Sequence, residues 1–141
     1  MKITEHFSLE EFERSDTARR LGIDNSVPMG LLPNIQALCE NVLEPVRQHF
    51  GVPIYLSSGY RSTALNKAVK GATASQHMKG EAADIYIKAS QLTLRDVYLW
   101  MVDNLVFDQL IWETRPNGSK WIHVSYKRTG VNRQQVFTCR A

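Results

Sequence analysis

The sequence predicts a single α+β domain, 1–141, in which a small antiparallel sheet packs against a long kinked helix and several shorter ones. A chain of 141 residues has the size of one ordinary domain with its own hydrophobic core. Two strand-forming segments, 108–114 and 120–126, flank the turn R-P-N-G-S and predict a β-hairpin. Apolar residues recur at three- and four-residue steps over 33–50, which predicts a long amphipathic helix. Short strands mixed with helices and one hairpin favour an antiparallel sheet.

The helical part of the chain begins with two short helices. Ser8 and Glu11 have the spacing of a capping box, which predicts a helix that starts there. Ser15 has the character of an N-cap for a second short helix. In the long helix over 33–50, Pro45 removes one backbone hydrogen bond, so a kink is predicted at this position.

The middle of the chain combines short strands with helices. Strands are predicted over 54–58 and 83–87 from their residue pattern. A short helix and then a loop of small and polar residues, 72–81, lie between them. A further helix ends near Asn104, and 134–138 is predicted to add an edge strand after the hairpin.

The overall composition is that of a globular protein. Hydrophobic residues make up 43% of the chain and charged residues 22%. No apolar run reaches the roughly 18 residues that a membrane span needs. The formal net charge is +3 and the isoelectric point is about 9.0. This mild charge favours a polyanionic neighbour such as a bacterial wall through long-range attraction only, and no nucleic-acid partner is expected because the basic tail lacks interleaved aromatic residues.

The first residues, M-K-I-T-E-H-F-S-L-E-E-F, do not resemble a signal peptide. Charged residues interrupt the apolar core that such a peptide requires. Synthesis in the cytoplasm is therefore expected. A protein of this kind that acts outside the cell would need another route of release.

Three residues with metal-binding side chains stand out. The stretch 57–86 contains His77 and Asp84, and His123 follows in W-I-H-V-S-Y. Gly80 lets the loop after His77 turn sharply before the strand that carries Asp84. An aspartate in an otherwise apolar strand is unusual, because a buried carboxylate needs a partner.

Each of these residues also has a simpler structural explanation. A single histidine in a strand is more often packed or hydrogen bonded than bound to a metal. His6 and His49 have such ordinary surroundings in or beside predicted helices. The two cysteines, Cys39 and Cys139, form no C-x-x-C pair, so a cysteine-based zinc site is excluded, and Cys39 is predicted to lie in the core. Two imidazoles and one carboxylate together suit Zn²⁺ with a fourth position open to water, although other divalent metals accept the same set.

The motifs S-S-G-Y-R-S, S-Q-H-M-K-G-E-A-A-D-I and W-I-H-V-S-Y together resemble the zinc D-alanyl-D-alanine carboxypeptidases. That family includes the L-alanyl-D-glutamate endolysins of bacteriophages and is structurally related to the Hedgehog signalling domain. The resemblance covers nearly the whole chain. It implies that His77, Asp84 and His123 bind one zinc ion. It also implies that Arg61 binds substrate and stabilises the oxyanion, and that Ser75 belongs to the substrate-binding loop.

The general base is where the sequence departs from the family pattern. Better-known members often carry E-x-x-H before the last ligand, but here Lys120 occupies the glutamate position. Glu113 is the predicted substitute, because a five-residue turn places it diagonal to His123, at a Cα separation of roughly 7–8 Å. A four-residue turn would shift the register by one and point Glu113 away, as expected of a surface glutamate. Glu81 and Asp108 are weaker alternatives.

Three functions follow as hypotheses. The first is a zinc metallopeptidase that cleaves peptidoglycan stem peptides next to a D-amino acid, as a carboxypeptidase or an endopeptidase. It would be a monomer that acts on the bacterial cell wall, as a phage or prophage lysis enzyme does after release by a holin. The second is an inactive zinc-bearing binding module of the same fold, for example in a phage particle, which the missing E-x-x-H motif favours. The third, a nucleic-acid binder, rests on the basic tail alone.

Overall fold

The computed structural model describes residues 1–140. Its strands are β1 (Lys2–Thr4), β2 (Phe7–Ser8), β3 (Tyr55–Ser58), β4 (Ala82–Tyr86), β5 (Gln109–Thr114), β6 (Lys120–Ser125) and β7 (Gln135–Arg140). Its α-helices are α1 (Leu9–Glu13), α2 (Asp16–Leu21), α3 (Leu32–Leu38), α4 (Glu44–Phe50), α5 (Thr63–Ala68) and α6 (Leu94–Asn104). Shorter helical turns cover Met29–Leu31, Cys39–Leu43 and Gln76–Lys79. None of the helices in residues 1–140 has the length and apolar character needed to cross a bilayer.

A five-stranded sheet with the order β3-β4-β6-β5-β7 forms the centre of the fold. The α+β class and the β5–β6 hairpin are confirmed. The sheet is mixed, however, because β7 pairs in parallel with β5 while the other neighbours are antiparallel. The parallel direction follows from two contacts that hold the start of β7 beside the start of β5. Arg133 donates to the Asp108 carboxylate at 2.7 Å, and the Gln134 amide donates to the Phe107 carbonyl at 3.0 Å.

The long helix predicted over 33–50 is confirmed only in part. Two α-helices, α3 and α4, are joined by a π-helical turn over Cys39–Leu43. In this turn the amide of Glu44 donates to the carbonyl of Cys39, five residues earlier. Pro45 has no amide hydrogen and its ring crowds the preceding turn, and the wider π turn accommodates both effects. The irregularity predicted at the proline therefore lies just before it.

The core lies between the helices and one face of the sheet. Hydrophobic side chains exposed by 1% or less come from both layers and include Phe7, Phe12, Ile35, Leu38, Cys39, Val42, Val46, Val97, Met101, Ile85, Leu110, Ile122 and Val124. Burial of a large apolar side chain stabilises the fold by about 1.5–3 kcal/mol. Because side chains alternate along a strand, the strand residues next to these buried ones point to the opposite face of the sheet. Asp84, Glu113 and His123 belong to that opposite face.

The N-terminal segment forms a feature that the sequence did not predict, a small hairpin of β1 and β2. The capping box of Ser8 and Glu11 and the N-cap of Ser15 follow it as predicted. Thr93 is the N-cap of α6.

Candidate metal centre

The three predicted ligands are carried by three different elements. His77 lies in the 3-10 helix of Gln76–Lys79, which Ser75 caps: its Oγ accepts from the amide of His77 at 3.2 Å. The sequence predicted a loop here and not a helix, but the sharp turn predicted at Gly80 is confirmed, because Gly80 ends this helix at φ 69°. Asp84 and His123 are direct neighbours across the antiparallel β4–β6 pair. The sheet register and one capped turn thus bring the three residues together.

Both imidazoles converge on one oxygen of Asp84. The Nδ1 atom of His123 lies 2.9 Å from Asp84 Oδ1, and the Nε2 atom of His77 lies 3.4 Å from the same oxygen. One donor atom from each residue lies within 4.8 Å of the other two. His77 is 2% exposed and Asp84 is 7% exposed. The arrangement is therefore compact enough to share one cation.

The histidine in the capped turn is oriented by a backbone carbonyl. Nδ1 of His77 lies 2.6 Å from the carbonyl oxygen of Gly59. Because a carbonyl can only accept, Nδ1 carries a hydrogen, and Nε2 is the ring nitrogen that faces Asp84. Metal-binding histidines are commonly held by such a contact on the other ring nitrogen.

Arg61 lies against the same aspartate. Its Nη2 atom is 3.6 Å from Asp84 Oδ2, while Nε donates to Ser58 Oγ at 3.1 Å and Nη1 donates to Asn66 Oδ1 at 3.2 Å. Burial opposes ionisation of Asp84, but the charges and hydrogen bonds of His77 and His123 outweigh it and hold the pKa of the Asp84 carboxyl below its usual range. The carboxylate is thus ionised and able to bind a cation.

Glu113 faces the centre, because the hairpin turn contains the five residues 115–119 and pairs Glu113 with Trp121. The indole Nε1 of Trp121 donates to Glu113 Oε2 at 2.9 Å. Burial, and next the negative charge of Asp84, raise the pKa of the Glu113 carboxyl. A raised carboxylate pKa suits a group that must accept and then release a proton near neutral pH.

One cavity of about 450 Å³ joins these groups. It is lined by all of the predicted site residues: Arg61, Ser75, His77, Asp84, Glu113 and His123. The two weaker candidates for the base do not line it. Asp108 is fully buried and paired with Arg133, and the Glu81 carboxylate accepts from the side-chain amide of Gln76 at 3.2 Å.

Sequence reasoning missed the residues that hold the site residues in place. Asn66 orients Arg61, the Gly59 carbonyl orients His77, and Trp121 orients Glu113. The spacing of Trp121 and Glu113 across the hairpin was a usable signal. The Gly59 and Asn66 contacts depend on tertiary packing and carry no pattern in the sequence.

A second group of possible donors lies at the N-terminal hairpin. Glu5, His6 and Glu44 also place one donor atom each within 4.8 Å of the others. The carboxylate of Glu44 accepts from the His6 amide at 2.6 Å and lies 2.9 Å from the His6 ring nitrogen Nδ1. The sequence predicted an ordinary role for His6 and gave no indication of this contact.

Comparisons with known proteins agree with this geometry. The family described as Peptidase M15 matches residues 5–125. The chain belongs to the M15 peptidase family. The resemblance that the sequence motifs indicated is thereby confirmed.

Among solved structures, the chain is similar to a vancomycin-resistance D,D-pentapeptidase, VanY from a VanB-type cassette, as an E175A mutant in complex with Zn(II). The identity is 23%, and the TM-score is 0.36. The match covers 55% of this chain and 56% of that one, so the M15 chain spans about half of that protein's length. No curated protein matches.

Proposed function

We propose that this M15 peptidase is a zinc metallopeptidase that hydrolyses peptidoglycan stem peptides next to a D-amino acid. It would act as a D-Ala-D-Ala carboxypeptidase or as an L-Ala-D-Glu endopeptidase, at the bacterial cell wall. The observation that carries the proposal is the convergence of His77, Asp84 and His123 beside Glu113 in one cavity. The phage origin suggested by the sequence motifs is part of the same proposal.

The donor set fits zinc. Two imidazoles and one carboxylate are a known ligand set for a catalytic zinc ion, and the His77 ring is already oriented by the Gly59 carbonyl. When bound there, zinc would polarise the scissile carbonyl and lower the pKa of water. Side chains of the protein would perform the remaining tasks, which are proton transfer and stabilisation of negative charge.

Glu113 is placed to move the proton. Its Oε2 accepts from Trp121, which leaves Oε1 to take a proton from the attacking water and pass it to the leaving amine. The raised pKa of Glu113 supports both transfers, because a carboxylate with an ordinary pKa would hold the proton too weakly.

Arg61 is the predicted electrophilic group. Three contacts, to Ser58, Asn66 and Asp84, fix its guanidinium before substrate binds. A guanidinium fixed in this way stabilises negative charge that develops on the carbonyl oxygen, without reorganising during the reaction. Its remaining N–H groups serve that oxygen or a substrate carboxylate.

The alternative function, a zinc-bearing binding module without activity, rests on one specific observation. Lys120 stands where many relatives carry the glutamate of E-x-x-H, and it is exposed at the start of β6. The position of Glu113 in the cavity argues for activity, because it supplies a carboxylate from the neighbouring strand.

Digestion of purified peptidoglycan separates these functions. The zinc-loaded protein, the chelated protein and the Glu113→Gln variant are each incubated with the same sacculi, and the products are analysed by mass spectrometry. We expect new stem-peptide ends from the loaded wild type alone, with activity restored when zinc is returned after chelation. Zinc binding without any cleavage, across sacculi of several chemotypes, would contradict the peptidase and favour the binding module.

A further inference from the structure

We propose that Arg115 is a specificity-determining residue that binds a carboxylate of the peptide substrate on the hairpin side of the cleft. This inference rests on the proposed peptidase function and names a chemical feature of its substrate. It assigns a role to a residue in the turn between β5 and β6, where the sequence indicated only a connection.

The cleft extends beyond the metal centre. A second cavity of about 380 Å³ adjoins the first and shares Arg61, Asp84, Arg115 and Trp121 with it. Its other walls come from both sides of the cleft, with Thr17 on α2 and Ser57 on β3. Two joined cavities form an elongated groove, which suits a peptide that continues on one side of the scissile bond. Arg115 lies where the two cavities meet.

Three arginines line the cavity of the metal centre, and they differ in what they contact. Arg61 is fixed by three contacts, as described above, and Arg133 forms an ion pair with the buried Asp108 at 2.7 Å. Within residues 1–140, Arg115 has no ion pair and its side chain donates no hydrogen bond to protein. Its guanidinium is therefore available to a ligand in the groove.

The guanidinium of Arg115 is nevertheless positioned. Its Cζ lies 4.9 Å from the centre of the Trp121 ring, a cation–π contact. Two backbone hydrogen bonds close the turn, from the Arg115 amide to the Ser119 carbonyl and from the Gly118 amide to the Arg115 carbonyl. A guanidinium held over a ring face can keep N–H groups free, and a pair of them matches both oxygens of a carboxylate.

The same tryptophan links Arg115 to the catalytic machinery. Trp121 contacts Arg115 with its ring face and donates from Nε1 to the carboxylate of Glu113. A carboxylate held by Arg115 would therefore lie close to the bond being cut. Stem peptides offer such groups as free α- or side-chain carboxylates, and their amidated forms do not.

A matched pair of peptides tests the inference. Synthetic stem peptides are prepared with each free carboxylate in turn replaced by a carboxamide, and binding to zinc-loaded Glu113→Gln protein is measured by calorimetry. Arg115→Gln in that background is expected to weaken binding of the carboxylate peptide about 10- to 100-fold, the usual loss for a hydrogen-bonded charge. Binding of one amidated peptide should be unchanged, and Arg115→Lys should restore only part of the loss.

The control is Arg95→Gln, which removes an exposed arginine on α6 that lines neither cavity. Equal weakening of carboxylate and amide peptides, no weakening, or the same loss in Arg95→Gln would overturn the role of Arg115. Turnover is measured in parallel with Glu113 intact. If the protein with Glu113 intact binds the carboxylate peptide through Arg115 but does not cleave it, the carboxylate site is supported and the peptidase function is contradicted.

Discussion

The centre formed by His77, Asp84 and His123 can be compared with the cluster of Glu5, His6 and Glu44. Each places three possible donor atoms within 4.8 Å of one another. In the first, two imidazoles approach one carboxylate oxygen from two elements, and a cavity of about 450 Å³ opens beside them.

In the second cluster the contacts join two parts of the fold, and no cavity of the metal centre adjoins them. Both oxygens of Glu44 contact His6, one the backbone amide and the other the ring, while Glu5 is exposed. None of the three lines the cavity of the metal centre. Glu44 thus attaches the turn of the β1–β2 hairpin to α4. The comparison teaches that donors close together are candidates for a metal centre only where a cavity gives ligands access to them.

The largest effect is expected from removing a ligand. His123→Ala should reduce zinc content from near one equivalent to less than about a tenth, because two donors rarely retain a catalytic zinc ion. His6→Ala is the matched control and should keep its zinc. Zinc per chain is measured by mass spectrometry of the metal after dialysis against a weak chelator, with circular dichroism to verify folding. Loss of zinc from the His6→Ala variant would mean that the cluster of Glu5, His6 and Glu44 binds the metal.

The next largest effect concerns catalysis with the metal retained. Glu113→Gln should lower kcat/KM about 10²- to 10⁴-fold, the usual contribution of a general base. Glutamine can still accept from Trp121 Nε1, so the hairpin should be unchanged and the zinc content should stay the same. Steady-state hydrolysis of a synthetic stem peptide measures the loss. A variant within tenfold of wild type would exclude Glu113 as the base.

A smaller effect is expected from the residues that hold Arg61. A Cβ atom at Gly71 would lie 2.8 Å from Arg61 Nη1 and would also collide with the Asn66 side chain. Gly71→Ala should therefore reduce kcat/KM about 10-fold or more, as changes around catalytic groups commonly do, with zinc retained. Gly30→Ala is the control, because a Cβ there meets no atom within 4 Å. Equal activity in the two variants would show that the position of Arg61 is unimportant.

The smallest effect is on stability alone. Glu44→Gln should lower the free energy of unfolding by about 1–3 kcal/mol at pH 7, because charged hydrogen bonds to His6 are lost, while zinc content is unchanged. Burial acts to raise the pKa of Glu44, but the bonds from His6 lower it further, so the net shift is downward.

The sign of the pH dependence follows from that shift. The contribution of Glu44 is present above its unfolded pKa of about 4.3 and is lost as the pH falls through its lower folded value. The difference between wild type and Glu44→Gln in urea unfolding should therefore shrink in acid. A difference that grows in acid would contradict the role of this carboxylate.

The sequence predicted the parts of the molecule that depend on local chemistry. The capping residues Ser8 and Ser15 and the five-residue hairpin turn lie where their residue types indicated. The ligand set followed from family motifs, and the placement of Glu113 followed from counting the turn. The placement of Glu113 on the face of His123 is confirmed, because strand alternation and turn length determine which side chains share a face. The ligand set stays a prediction.

The remainder depended on contacts between distant residues. The direction of β7 is set by the pairing of Arg133 with Asp108, and neither residue alone indicates it. For the helix around Pro45 the sequence predicted only a kink. The π turn before the proline reflects how this helix adapts to its surroundings in the fold. The contacts of Asn66 with Arg61 and of Arg115 with Trp121 are also tertiary.

The parallel strand β7 has a consequence for anything joined to this end of the chain. Because β7 runs in the same direction as β5, Arg140 pairs with Thr114 and both lie beside Arg115 and Pro116. A tag or a fused module placed after Arg140 would begin beside Arg115, at the hairpin end of the proposed peptide groove. Such an addition should change access to the groove, whereas one of equal length inserted beside Gly30, which lines neither cavity, should leave access as it is.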